Sequence, residues 1–117
     1  MTRHTAAFLG LVVLGCGTAE PVFREKPARE WARELEAADP PVRRSAAQAL
    51  GEIGPAAGST VPALARALKD NNALVRAAAA EALGRMGPEG KSALSLLQII
   101  QARDEAEEVR RQAAVAV

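Results

Sequence analysis

The chain has 117 residues, with 15 Lys+Arg, 14 Asp+Glu and a formal net charge of +1, so no charge excess points to a nucleic-acid partner. Aromatic residues make up only 3% of the chain, and no stretch alternates apolar with polar residues. The composition therefore excludes a β-sheet core and predicts an all-α protein.

The N-terminal segment has the organisation of an export signal. Arg3 and His4 form a short positive region, and an apolar run covers residues 6–14. Nine residues are too few to span a bilayer, which needs about 20. The segment therefore reads as a signal peptide and not as a resident transmembrane helix.

The apolar run ends in Val13-Leu14-Gly15-Cys16, which resembles the lipobox of bacterial lipoproteins. The resemblance implies a signal peptide over residues 1–15 and lipidation of Cys16, the only cysteine of the chain. It also implies an extracytoplasmic, lipid-anchored protein of the bacterial cell envelope. Gly17 follows the cysteine, which favours the outer membrane in a Gram-negative source. An ordinary secretory signal with a chance cysteine is the alternative.

Residues 16–27 mix prolines, charges and small residues without a helical period. This composition predicts a lipidated tether that joins the anchor to a folded domain over residues 28–117.

The folded domain repeats itself. The segment Val42–Pro55 recurs 33 residues later as Val75–Pro88, and a shortened copy follows after another 34 residues over Val109–Val117. This period is typical of a stack of helical hairpins. The repeats cover about residues 28–55, 59–88 and 91–117, and the last is incomplete.

Each repeat contains two apolar stripes at helical spacing, and a Gly-Pro pair ends the second helix of the first two repeats. Asp39 and Asn72 stand one period apart before the second helices, where capping residues are expected. The stripe of the middle repeat predicts that Ala79 is buried and that Ala77 lies on the outer face.

The stretch from Val61 to Gly87 resembles the short HEAT-like repeats of bacterial proteins and of phycobilisome bilin lyases. The resemblance covers residues 31–117. It implies a right-handed α-solenoid of about three HEAT-like hairpins, with first helices on the convex side and second helices on the concave side. It also implies a protein–protein interaction or scaffold module with an unidentified protein partner. The alternative is an accessory subunit or a fragment of a bilin-lyase-like or other HEAT-repeat enzyme.

The residues that carry most catalytic chemistry are missing once residues 1–15 are removed. The remaining sequence has no histidine, no tyrosine and no free thiol if Cys16 is acylated. No glycine-rich phosphate loop follows a strand. We therefore expect no enzymatic activity, no metal site and no cofactor.

Charged residues fall into two predicted groups. The equivalent arginines flank the buried stripes, where they are expected to join neighbouring repeats by meeting acidic turn residues. This structural group comprises Arg43, Arg76, Arg110, Asp39, Asp70 and Asp104. The residues farthest from the stripes form the candidate partner surface, namely Arg44, Gln48, Glu52, Glu81, Arg85 and Arg111.

The third repeat carries apolar residues where its predecessors are polar. Val115 occupies the position of Gln48 and Glu81, and Val117 lies beside it. The pattern leaves three alternatives open for this repeat: packing against another protein, weak self-association, or continuation in a longer chain.

Overall fold

A computed structural model describes residues 22–117. The predicted signal peptide, the predicted lipidation site Cys16 and most of the predicted tether lie outside the described residues. Within residues 22–117, no helix is both long and apolar enough to cross a membrane.

The described chain forms three helical hairpins in sequence order, as the repeats predict. The first helices are α1 (Ala28–Glu34), α3 (Val61–Ala67) and α5 (Leu94–Arg103), and the second helices are α2 (Pro40–Ile53), α4 (Ala73–Arg85) and α6 (Glu107–Ala116). Two 3-10 segments, Gly54–Thr60 and Gly87–Ala93, join consecutive repeats. A short antiparallel hairpin, β1 (Val22–Phe23) and β2 (Lys26–Pro27), precedes α1.

The helix ends follow the capping signals only in part. Asn72 accepts hydrogen bonds from the backbone N–H groups of Leu74 and Val75 at 2.9 and 3.2 Å, as expected for a capping residue. Asp39 occupies the same position before α2, but its side chain makes no capping hydrogen bond. Gly54 ends α2 with a φ of +75°, a conformation that a residue with a Cβ rarely adopts.

The folded region begins at residue 22, six residues earlier than the tether prediction allowed. The indole Nε1 of Trp31 donates to the carbonyl of Phe23 at 3.1 Å, and the two rings lie 6.3 Å apart. The Lys26 ammonium lies 4.1 Å from the centre of the indole ring and pairs with Glu34. These contacts fold residues 22–27 onto α1, so that only residues 16–21 remain as candidates for a tether.

The second helices pack directly against one another. The first helices α1 and α3 each contact the 3-10 segment that joins their own repeat to the next one. Alanines fill the helix–helix contacts, and larger side chains fill the centre of each hairpin. The largest fully buried side chains are Leu50, Leu64, Leu68, Met86, Val75 and Val109.

The predicted outer position of Ala77 is wrong. Its exposed fraction is 7%, whereas Ala79 is fully buried as predicted. Ala77 lines a shallow depression together with Arg44 and Gln48 of α2 and Glu108 of α6. The packing of α4 between α2 and α6 therefore buries an alanine that the apolar stripe of its own helix leaves outside.

Candidate interaction surface

A groove opens where the N-terminal hairpin meets the second helices. It has a volume of 510 Å³. Its base contains small residues of α2 and α4, including Ala49, Ala78 and Ala82. Because alanine side chains are short, the base lets another backbone approach these helices closely.

The two sides of the groove differ in chemistry. One side is formed by Phe23, Arg24 and Trp31, which combine aromatic surface with one cation. The other side carries Arg85, whose guanidinium donates to Glu52 at 3.2 Å and to Glu81 at 3.0 Å. All three charged side chains are about half exposed, so they can exchange these partners for groups on a ligand at small cost.

The structure brings together four residues of the predicted partner surface, since Gln48, Glu52, Glu81 and Arg85 all line the groove. Arg44 lines an adjoining depression with Gln48 and Glu81. Arg111 does not line the groove, and it pairs instead with Glu107 and Glu108 on its own helix. Whether these residues bind a partner stays a prediction.

The sequence patterns did not predict the aromatic side of the groove. Helical periodicity assigns Trp31 to the buried stripe of α1, and Phe23 lies in the segment predicted as a tether. The one available signal was the concentration of two of the chain's three aromatic residues within nine positions. Aromatic residues placed so close together often pack against each other.

A ladder of arginine–aspartate pairs joins the repeats on the turns between helices. Arg43 donates from Nε and Nη2 to the carboxylate of Asp70 in the next repeat, at 2.7 and 3.0 Å. Arg76 contacts Asp104 in the same bidentate geometry at 2.9 and 3.1 Å. The four side chains are at most 13% exposed. Asp39, predicted to belong to this group, is exposed, and the Arg43 guanidinium donates to Asp70, Ala37, Ala38 and Asn71 but not to the carboxylate of Asp39.

The ladder shifts the pKa values of its carboxyl groups downward. Burial raises the pKa of Asp70, but hydrogen bonds from Arg43 and from the N–H of Asn72 outweigh burial, so the pKa lies below its usual value. The pKa of Asp104 is lowered in the same way, because Arg76 and the N–H of Ala106 outweigh its burial. The hydrogen bond with Asp70 raises the pKa of Arg43.

These shifts predict an acid-sensitive contribution to stability. Since the folded pKa values of Asp70 and Asp104 lie below the unfolded value of about 3.9, the contribution is complete above that value and is lost as pH falls through the folded values. We expect Tm to fall less steeply between about pH 5 and pH 2 in the double variant Asp70→Asn, Asp104→Asn than in the wild type. Differential scanning calorimetry across this range measures the slopes.

Asp39→Asn is the matched control, because its carboxylate is exposed and makes no capping hydrogen bond. It should keep the wild-type slope. Equal slopes for the wild type and the double variant would show that the ladder does not couple protonation to folding.

Within residues 22–117, no group of three or more His, Cys, Asp or Glu side chains is placed to hold a metal ion. Comparison with protein families shows that residues 28–117 match the model described as HEAT repeats. Comparison with curated proteins and with solved structures finds no match.

Proposed function

Because the chain belongs to the HEAT-repeat family, we propose that it is an interaction or scaffold module that acts by binding and not by catalysis. We further propose that a protein partner binds in the groove between the N-terminal hairpin and the second helices. The observation that supports this site is the combination of an alanine base, an aromatic side and an opposite charged side in one open cleft.

The chemistry of the groove suggests what the partner presents. Trp31 and Phe23 offer apolar surface for an anchoring side chain, and aromatic residues often contribute much of the affinity at interfaces. Arg85 pairs with Glu52 at 3.2 Å and with Glu81 at 3.0 Å, so both signs of charge lie side by side. Mixed charge of this kind selects a partner by matching individual groups, with little long-range attraction.

The proposal includes attachment to the bacterial cell envelope through lipid on Cys16. It is supported by the Val13–Cys16 motif behind the apolar run. Val22 lies six residues after Cys16, so the two can be at most about 22 Å apart when the chain is fully extended. An anchored protein would therefore hold its N-terminal hairpin, and the adjoining groove, close to the lipid surface.

A charge exchange in the groove tests the proposed site. We expect Glu81→Arg, Arg85→Glu to lose the partner that the intact protein captures from its own envelope after cross-linking. The exchange keeps an i, i+4 ion pair on α4 but reverses the charges that a ligand would meet. Quantitative mass spectrometry of the captured proteins measures the loss, which we expect to exceed tenfold, equivalent to about 1.4 kcal/mol.

The same exchange on α6, Glu107→Arg, Arg111→Glu, is the control, since this i, i+4 pair lies outside the groove. It should retain the partner. Retention of the partner by both variants would exclude the charged side of the groove as part of the binding site. Equal loss in both variants would show that the binding surface is not confined to the groove and includes Arg111.

A further inference from the structure

The carboxylates of the groove already have partners within the protein. Glu52 and Glu81 both accept hydrogen bonds from Arg85. In the depression that adjoins the groove, Glu108 accepts a hydrogen bond from Arg111 at 2.6 Å. A ligand on this surface therefore meets acidic side chains whose charge is already compensated.

Two cations of the same surface have no such compensation. Arg24 lines the groove and Arg44 lines the depression, and the two cavities share Gln48 and Ala78. Among residues 22–117, no carboxylate forms an ion pair with the guanidinium of either arginine. The charges that this surface leaves for a ligand are therefore positive.

Arg24 is held in a backbone conformation that is unfavourable for arginine. Strands β1 and β2 pair Phe23 with Lys26, so the turn between them consists of Arg24 and Glu25 alone. Their φ values are +54° and +64°, a region that glycine and asparagine adopt more easily. The guanidinium of Arg24 lies 5.2 Å from the centre of the Phe23 ring, on the groove. Backbone strain of this kind is typical of residues that a functional site requires in place.

The groove also offers a side-chain amide to a peptide backbone. Gln48 is exposed on α2, four residues from Arg44 and four from Glu52, so the three side chains follow one line along the helix. Within the described part of the chain, the Gln48 side chain makes no hydrogen bond. An amide can donate and accept at once, as a peptide group does. An extended segment has peptide groups free to bind it, whereas a helix uses its own internally.

We propose that the groove binds an extended acidic segment of a protein partner, with one carboxylate on Arg24 and a second on Arg44. This occupant rests on the proposed function, because it is assigned to the same groove. An apolar side chain between the two carboxylates packs against Trp31, and the backbone of the segment meets the amide of Gln48.

A ligand with dense negative charge, such as the phosphate surface of a lipid bilayer, fits the same arginines less well. Glu52 and Glu81 lie on the same surface and repel an unbroken layer of anions. A peptide segment carries separate carboxylates and backbone N–H groups, so it can donate to these glutamates. The mixture of charges therefore favours an acidic polypeptide.

Selection of random heptapeptides on the full chain tests this chemistry. We expect the selected peptides to be enriched in Asp and Glu at two positions on either side of an apolar residue, relative to the unselected library. Arg24→Gly should abolish the enrichment at one of these positions and Arg44→Gln at the other, because each guanidinium holds one carboxylate. Sequencing of the selected pools measures the enrichment.

The only tryptophan of the chain reports binding directly, because Trp31 lines the groove. Titration with the most enriched acidic peptide should shift the Trp31 emission to shorter wavelength as the peptide covers the indole. Arg24→Gly should raise the Kd by about threefold to tenfold, as expected for loss of an exposed ion pair. Added salt should weaken the binding of the wild type more than that of this variant.

Glu25→Gly is the matched control, because Glu25 shares the positive φ of Arg24 but does not line the groove. It should keep the acidic preference and the wild-type Kd. Glycine tolerates positive φ, so both variants should retain the hairpin and a Tm close to that of the wild type.

Three outcomes would overturn the acidic segment. These are selected peptides without acidic enrichment, an enrichment that survives in both arginine variants, and a selection that yields no peptide. Binding of the wild type to vesicles of an anionic phospholipid, if Arg24→Gly removes it, would reassign the arginine to a lipid surface.

The proposed function is tested separately by the Glu81→Arg, Arg85→Glu exchange. If that exchange loses the envelope partner while the selected peptides show no acidic preference, the groove remains a binding site and only the acidic segment is rejected. If the exchange retains the partner, the charged side of the groove is excluded whatever the peptides show.

Discussion

Ala79→Leu should lower the free energy of unfolding by about 1–3 kcal/mol, because the substitution adds a large side chain where no space exists. Ala79 is fully buried on α4, the one second helix that packs against a second helix on both sides. A leucine at this point must displace packed neighbours or adopt a strained rotamer. Urea denaturation of the full chain measures the change.

Ala102→Leu is the control for this substitution. Ala102 is exposed near the end of α5, and leucine is a good helix former, so the change should stay below about 0.5 kcal/mol. Ala77 is unsuitable as a control, because it is only 7% exposed. If both variants unfold at the same urea concentration, the central packing of α4 described here is incorrect.

Cys16→Ser should move the protein out of the membrane fraction. The resemblance to bacterial lipoproteins implies several acyl chains on one cysteine, whereas a single chain gives only marginal binding and stable anchoring needs two signals. Within residues 22–117, no helix could replace the anchor by spanning the membrane. Fractionation of cells, followed by intact-mass measurement of the wild type, tests both the location and the modification.

Thr18→Ser, two residues further on, is the conservative control and should stay with the membrane. A wild-type protein that retains Met1, or one that is cleaved but carries no lipid, would contradict the assignment of Cys16. This outcome would leave the groove as it is, since its lining contains none of residues 1–21.

Repetition in the sequence determined the number of helical hairpins and most of their boundaries. Val75, Ala79 and Leu83 recur one period from Val42, Ala46 and Leu50, and all but Val42 are buried as their stripe predicts. The physical reason is local. A stripe of apolar residues at helical spacing specifies which side of a helix must leave water, and a Gly-Pro pair specifies where the helix stops.

The partners in contacts between repeats could be identified only from the tertiary structure, because the two residues of each contact lie about 27 to 33 positions apart in the chain. The pairing of Arg43 with Asp70, in place of the nearer Asp39, follows from how one hairpin stacks on the next. Neighbouring helices on both sides also buried Ala77, which the stripe of α4 alone leaves outside.

The groove also forms only in the tertiary structure, because its residues come from separate elements of the chain. Its charged side could be anticipated, since Glu52, Glu81 and Arg85 lie far from the apolar stripes. Its aromatic side could not, because Phe23 reaches it only when the N-terminal hairpin folds back on Trp31. Helical periodicity describes one helix at a time, whereas a surface shared by a hairpin and two helices exists only once these elements pack together.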